Sequence, residues 1–392
     1  MTRSRIQQGM PTRRDFLIAS MALLTTRVAA EQAAAEAKPR PLGEIRDELR
    51  KLIPDLMHRY QVPGLSLALI RDRAIAWTEA FGLRDKETNS ALTPNTVFEA
   101  ASLSKPAYSY VVLKLVELGK FSLERPLLEY LGRDLNPDEP RFTQVTARHV
   151  LTHTSGIEPQ PGGEGRPPKL VFAPGERFEY SPHAFDILQL AVERATGEKI
   201  TPMMERMLLR PFGMVQSAYG WSEEFAKSGA RGYNDKGEHD QTFNEKVWRL
   251  SADERARVLK PYPFESVPNA AAGLHATPTD YARFLVEAMR PGKDDFHLAP
   301  DMQLQMLTPH VRVDKFDTLS WGLGFGLQRP PFGPWSFWHW GDWGIFQHYA
   351  VAYPEEGSGL VVMTNSSGLL ACRDVAVAAL GYAQPAFEWL TS

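Results

Sequence analysis

A single cysteine, Cys372, stands in this 392-residue chain, so no disulfide can form within it and stability has to come from a packed core. Cys/His clusters spaced for structural zinc are missing as well. His149 and His153 stand four apart, yet the stretch lacks the glutamate of H-E-x-x-H, so no metal is expected there and no cofactor elsewhere. No apolar run is long enough to cross a bilayer as a permanent helix. An excess of positive charge is also absent: the formal net charge is −3, which argues against nucleic acid as a partner. Internal repeats and low-complexity stretches are not found. With 43% hydrophobic residues, the chain has enough apolar material for one large domain or two closely packed lobes.

What is present begins with an address. Thr12-Arg13-Arg14-Asp15-Phe16-Leu17, an apolar run over 16–24 and the small residues Val28-Ala29-Ala30 read as a twin-arginine export signal over residues 1–30. A linker rich in Ala, Lys and Pro is expected over 31–41, and the folded domain over 42–392, in a periplasmic or other extracytoplasmic setting. Without residues 1–30 the chain keeps 39 basic and 46 acidic residues, near −7.

The order of patterns sets the fold class. Residues 42–60 have helical spacing, with Ile45, Leu49, Leu52, Ile53 and Leu56 on one side. Short β-like runs at 64–70 and 74–81 flank Arg71-Asp72-Arg73, a hairpin. The middle, about 107–289, alternates helical patterns with Pro/Gly-rich loops, and after Ser320 the texture turns to successive strands, at 321–327, 335–340, 346–353 and 360–365, before a last helix at 372–380. Strands at both ends with helices between predict an α+β architecture: one antiparallel sheet built from the two termini, flanked by helices, with a mainly helical second lobe.

Three separated stretches carry chemistry. Ser102-Leu103-Ser104-Lys105 opens the apolar run 107–118, which puts a hydroxyl and an amine three residues apart on one face at the start of a helix. A desolvated lysine amine has a lowered pKa and can take the serine proton during attack on a carbonyl. Pro106 suits a first helical turn, where the orphan backbone donors favour a developing oxyanion. Tyr180, within Glu179-Tyr180-Ser181-Pro182 and just ahead of a helical run, would share proton transfer, with its pKa depressed by a nearby ammonium. Trp338-His339-Trp340-Gly341-Asp342 lies among the C-terminal strands, where Gly341 permits close approach and the Asp342 N–H would pair with that of Ser102 in an oxyanion hole.

Together these stretches resemble the serine β-lactamase superfamily, in the branch of class C β-lactamases, D-alanyl-D-alanine carboxypeptidases, D-aminopeptidases and family VIII carboxylesterases. The segment Val145-Thr146-Ala147-Arg148-His149-Val150-Leu151-Thr152-His153-Thr154-Ser155-Gly156-Ile157 is very similar to that family's T-x-R-H-L-L-T-H-T-S-G. Arg210-Pro211-Phe212-Gly213-Met214 and the stretch from Ala272 to Asp280 are similar to two further family segments. The resemblance implies a β-lactamase/transpeptidase-like fold, Ser102 as nucleophile, Lys105 as its base partner and Tyr180 as proton shuttle. It also implies His339 with Gly341 as the third motif, and structural use of His149 and His153.

Two departures matter. Pro182 stands where the family's second motif has asparagine, and Trp340 where a small hydroxylated residue is usual. Proline offers no donor to an acyl amide, and the indole is expected to narrow the cleft; His183 is a candidate for the lost polar contact, although a histidine there is expected to face solvent. Both changes tilt the reading toward an esterase-like hydrolase acting on a small-molecule or peptide substrate. The alternatives are D-alanyl-D-alanine carboxypeptidase or β-lactamase activity, or an inert penicillin-binding-like module.

Overall fold

The computed structural model describes residues 40–132, 135–160, 166–259, 269–331 and 333–389. The expected export signal and all but the last two residues of the expected linker lie outside these residues.

A nine-stranded antiparallel sheet organises the molecule, and both ends of the chain contribute to it. Its early strands are β1 (Gly64–Arg71), β2 (Ala74–Asp85) and β3 (Ser90–Ala91). Its late strands are β4 (Val311–Arg312), β5 (Leu319–Trp321), β6 (Gly326–Gln328), β7 (Ser336–Asp342), β8 (Gln347–Tyr353) and β9 (Ser358–Thr364). The spatial order is β3-β2-β1-β9-β8-β7-β6-β5-β4, so the two halves meet where β1 pairs with β9, Leu65 opposite Thr364 and Ile70 opposite Gly359. The β1–β2 hairpin turns through Asp72 and Arg73, at φ 51° and 55°, the left-handed pair that matches strand twist.

Strand β1 explains why helices cover the sheet twice. Its side chains alternate between faces, and both faces are apolar: Leu65, Leu67 and Leu69 enter one core, Ala68 and Ile70 the other. Helix α1 (Leu42–Arg59) closes the first with Ile45, Leu49, Ile53 and Leu56, and the C-terminal helix, Leu369–Leu380, packs beside it. Over the second lie α2 (Ser104–Glu117), α3 (Pro182–Thr196) and α4 (Pro278–Ala288) with the rest of the helical lobe. Helix α2 is buried on all sides from Ser104 to Leu115, so it runs through the core and not along its surface.

Differences from the sequence reading are local. Strand β2 continues past residue 81 to Asp85, because Gly82, at φ 79°, and a bulge between Leu83 and Asp85 let it turn toward β3. The expected strand 321–327 is two short strands around a turn. There Gly324 sits at φ 95°, and a Cβ on it would stand 2.2 Å from Ser109 Oγ.

Candidate active site

The nucleophile turn is held from several sides. Residues Phe98–Glu99 pair with Leu274–Ala276, and the Ala100 N–H donates to the Leu274 carbonyl at 2.9 Å. Ala101 then adopts φ 49°, a left-handed conformation that costs a side-chain-bearing residue on the order of 1 kcal/mol. A 3-10 turn over Ala101–Leu103 carries Ser102 and leads directly into α2. The strain is offset by locks on both flanks: Tyr281 donates to the Leu103 carbonyl at 2.9 Å, and Ser104 Oγ donates to Ala101 O at 2.7 Å while accepting the Leu274 N–H at 2.9 Å.

Lys105 points back at this turn. Its Nζ lies 2.8 Å from Ser102 Oγ and 3.0 Å from the Ala271 carbonyl, with the ring faces of Tyr180 and Phe185 at 5.0 and 5.8 Å. The side chain is 1% exposed, and burial pulls its pKa down to about 7, against the opposing pull of Asp186. The Tyr180 ring lies beside the same amine and 6.0 Å from the His339 ring. Its phenol is pushed up, not down as the sequence suggested: burial outweighs the opposing influence of the Ser102 hydroxyl. The hydroxyl and the amine thus stand at hydrogen-bond distance, with the phenol ring beside the amine.

Strand β7 closes the site. Its pleat turns Phe337, His339 and Gly341 one way and Trp338 and Trp340 the other. Gly341 passes so close to the nucleophile segment that a Cβ there would stand 2.5 Å from Ala100 O, while His348 on β8 donates from Nε2 to the Glu99 carbonyl at 2.8 Å. The backbone of β7 up to Asp342 thus runs beside the turn that carries Ser102. His339 is buried, its Nδ1 donates to the Trp340 carbonyl at 2.6 Å, and burial together with Lys105 lowers its pKa to about 3, so the imidazole is neutral.

Two expectations fail here. The Trp340 indole does not share the Gly341 side of β7, as a residue narrowing the cleft there would: it lies on the opposite face, stacked on Trp389 at 4.9 Å and 4.6 Å from Trp338. His183 is not solvent-facing. As the second residue of α3, after Pro182, it is 3% exposed and interacts with the Glu158 backbone.

The family model for beta-lactamases matches residues 49–383. The chain belongs to the beta-lactamase family. It is 31% identical over 182 residues to esterase EstB of Burkholderia gladioli, covering 38% of this chain and 45% of that protein. Against the D-alanyl-D-alanine-carboxypeptidase/endopeptidase AmpH of Escherichia coli K12 it is 26% identical over 303 residues, 70% of this chain and 72% of AmpH. Protein flp of Staphylococcus aureus is 22% identical over 211 residues, 50% of this chain and 42% of flp, so the match spans less than half of flp and of EstB. Among solved structures, the octameric penicillin-binding protein homologue from Pyrococcus abyssi superposes with a TM-score of 0.70 at 25% identity, over 86% of this chain and 76% of that one. The D-alanine carboxypeptidase AmpC from Burkholderia cenocepacia superposes at 0.68 with 21% identity, over 87% and 99%, and shares the fold.

Within this beta-lactamase fold, further buried polar groups surround the site, among which Asp186 and Glu99 had no role in the sequence reading. His153, which the resemblance assigned to structural use, sits at φ 55°, accepts the Ser181 N–H on Nδ1 at 3.1 Å and packs 4.3 Å from the Tyr180 ring, so it holds the tyrosine in place. His149 closes a capping box with Thr146. Asp186 is 6% exposed, and its pKa is raised to about 8 by burial, against the pull of Lys105. Glu99, fully buried beside the nucleophile turn, accepts from the Trp221 indole at 3.0 Å and from the Thr242 hydroxyl, and burial raises it to about 8. A lone acid inside an apolar run, as in Phe98-Glu99-Ala100 or Phe185-Asp186-Ile187, was the available signal for both. Among the described residues no three His, Cys, Asp or Glu side chains gather as a metal site, and no helix is long and apolar enough to cross a membrane.

Proposed function

We propose that this protein is a serine hydrolase that forms an acyl-enzyme on Ser102 and prefers esters to β-lactams and cell-wall stem peptides. The observation that carries the proposal is the 2.8 Å contact between Lys105 Nζ and Ser102 Oγ, made by an amine that burial brings down to about 7. As Oγ attacks the carbonyl carbon, its proton passes to the free amine and the carbonyl oxygen becomes an oxyanion, met by the N–H groups of Ser102 and Asp342. The proton then reaches the leaving alcohol by way of Tyr180, whose high pKa suits it to return any proton it gives. Water enters along the same path and releases the acid.

Two features favour esters. Pro182 offers no side-chain donor to an acyl amide, and the neutral His339 puts no cation on β7 for a substrate carboxylate. The 31% identity to esterase EstB supports the same choice. Carboxypeptidase action is the second reading, supported by the longer match to AmpH. Export by the twin-arginine route, to the periplasm or beyond, belongs to the proposal and rests on residues 12–30.

The test is covalent labelling followed by turnover. Wild-type protein should take up one fluorophosphonate per chain, and Ser102→Ala none. A chromogenic short-chain ester should turn over faster than a chromogenic cephalosporin or a D-alanyl-D-alanine peptide. Undiminished labelling of the variant would remove Ser102 from its role; faster release of D-alanine would replace esterase by carboxypeptidase.

A further inference from the structure

Lys105 is aimed by a backbone carbonyl. A free amine has two N–H groups and one lone pair, so an N–H given to Ala271 O at 3.0 Å leaves the lone pair for the Ser102 hydroxyl 2.8 Å away. The direction of the lone pair therefore depends on where residues 270–273 hold that carbonyl.

Those residues form a turn, not a strand, and buried side chains pin it from opposite sides. Gln189, on α3 and 2% exposed, accepts the Ala270 N–H at 2.8 Å. Asn244, 0% exposed, donates from Nδ2 to the Ala272 carbonyl at 3.1 Å. Asn269 accepts the Ala272 N–H at 2.8 Å from within the turn. Ala271 thus lies between two residues that are each tied to a different element. Asn244 belongs to the short helix Phe243–Trp248, whose cap Thr242 is in turn bound to Glu99, next to the nucleophile turn.

We infer that Asn244 and Gln189 are positioning residues for Lys105: by clamping residues 270–273 they keep the Ala271 carbonyl where it turns the amine toward Ser102. The inference rests on Lys105 acting as the base. It assigns a positioning purpose to the short helix Phe243–Trp248, which carries no motif of its own. Neither side chain is needed to touch substrate for this purpose.

The signature is specific. A carbonyl acceptor favours the charged form of the lysine, so a loosened turn lowers the pH at which the amine becomes free. The groups that face Lys105 with titratable atoms are Asp186 from α3, His153, His339 from β7 and Tyr180, and neither Asn244 nor Gln189 alters their charge.

The experiment measures the fluorophosphonate labelling rate and ester turnover against pH for wild type, Asn244→Ala and Gln189→Ala, each first shown to unfold in a single cooperative transition. Both variants should lose about ten- to a hundredfold in labelling rate and in kcat, because a displacement of an ångström suffices for that, with KM for a small ester within about twofold. Both should also move the acid limb of the profile to lower pH. If Asn244→Ala does not fold, Gln189→Ala decides. Folded variants with an unmoved acid limb and an unchanged labelling rate would overturn the inference while leaving Ser102 chemistry intact. Wild type that labels at no pH would instead remove the hydrolase reading on which it rests.

Discussion

The two faces of β7 solve opposite problems with alternate residues of one strand. On one face His339 and Gly341 look toward a region where buried charge and hydrogen-bonding capacity are left incompletely matched: the Nε2 atoms of His339 and His153 and one oxygen each of Asp186 and Glu99 have no hydrogen-bond partner. On the other face Trp338 and Trp340 join Trp321, Tyr349 and Trp389 in an aromatic wall backed by α1 and the C-terminal helix. The first arrangement shifts pKa values and costs stability; the second is mainly apolar packing, although the Trp321, Trp338 and Trp340 indole N–H groups lack partners and Trp321 and Trp389 border the Tyr180 ring. A pleat with a period of two separates the two tasks by a single residue. Stability lost around the lysine is offset across the sheet.

If the polar side costs stability, removing one of its buried charges should recover some, and Glu99→Gln is the largest such effect. Glu99 has a folded pKa of about 8, above its ordinary 4.5, so the fold prefers it protonated. Its favourable contribution is complete below about 4.5 and is lost as the pH rises through 8, where the folded chain must either hold a proton the unfolded chain has released or bury a carboxylate. Glutamine keeps the oxygen that accepts from Trp221 and Thr242 and cannot ionise. Relative to wild type, Glu99→Gln should gain on the order of a few kcal/mol between pH 5 and pH 8.5, read from urea midpoints at the two values. Equal slopes in the two proteins would mean that Glu99 is solvated and that this side carries no such cost.

Gly341→Ala probes the same face by shape. The new Cβ would stand 2.5 Å from Ala100 O and 2.7 Å from the His348 ring, both fixed by other bonds, so β7 has to move away from the nucleophile turn. Ester turnover should fall roughly ten- to a hundredfold, equivalent to about 1.4 to 2.7 kcal/mol in the barrier, with a smaller change in melting temperature. Activity within twofold of wild type would show that the close approach serves packing alone.

How much of this was legible beforehand follows from the range of the interactions. Ser102 and Lys105 are three apart on one helical start, so their meeting is local and the sequence carried it; Tyr180 came with a motif. The sheet was legible because runs such as Leu65 to Ile70 and Gln347 to Tyr353 need two covered faces wherever they occur. Trp340 was misplaced because a one-residue error of phase exchanges the faces of a strand, and the sequence of β7 puts aromatic residues on both faces, Phe337 on one and Trp338 and Trp340 on the other, without saying which set faces Ser102. His183 was misread because only the fold shows Pro182 starting α3 and residues 158–159 lying over the next residue. The direction of the Tyr180 shift depends on desolvation, which no spacing reports. Gln189 holds Ala270 from 81 positions away, and Asn244 holds Ala272 from 28, in stretches with no motif of their own.

The smallest effect expected, and the sharpest test of the two-faced strand, is Trp340→Phe. The indole is stacked on Trp389 with 21° between the rings, and its Nε1 has no hydrogen-bond partner, so phenylalanine sacrifices stacking area and no hydrogen bond. The cost should be about 1 kcal/mol or less, a shift of the urea midpoint without a change of slope. Because Trp340 faces away from Ser102, kcat and KM for small and bulky aryl esters should change in the same proportion and by less than about twofold. An indole lining the cleft, as the sequence first suggested, predicts the reverse: bulky acyl groups would gain selectively when the side chain shrinks, while stability stayed level. Selective gain for a bulky ester would put Trp340 back on the site side and end the division of labour across β7.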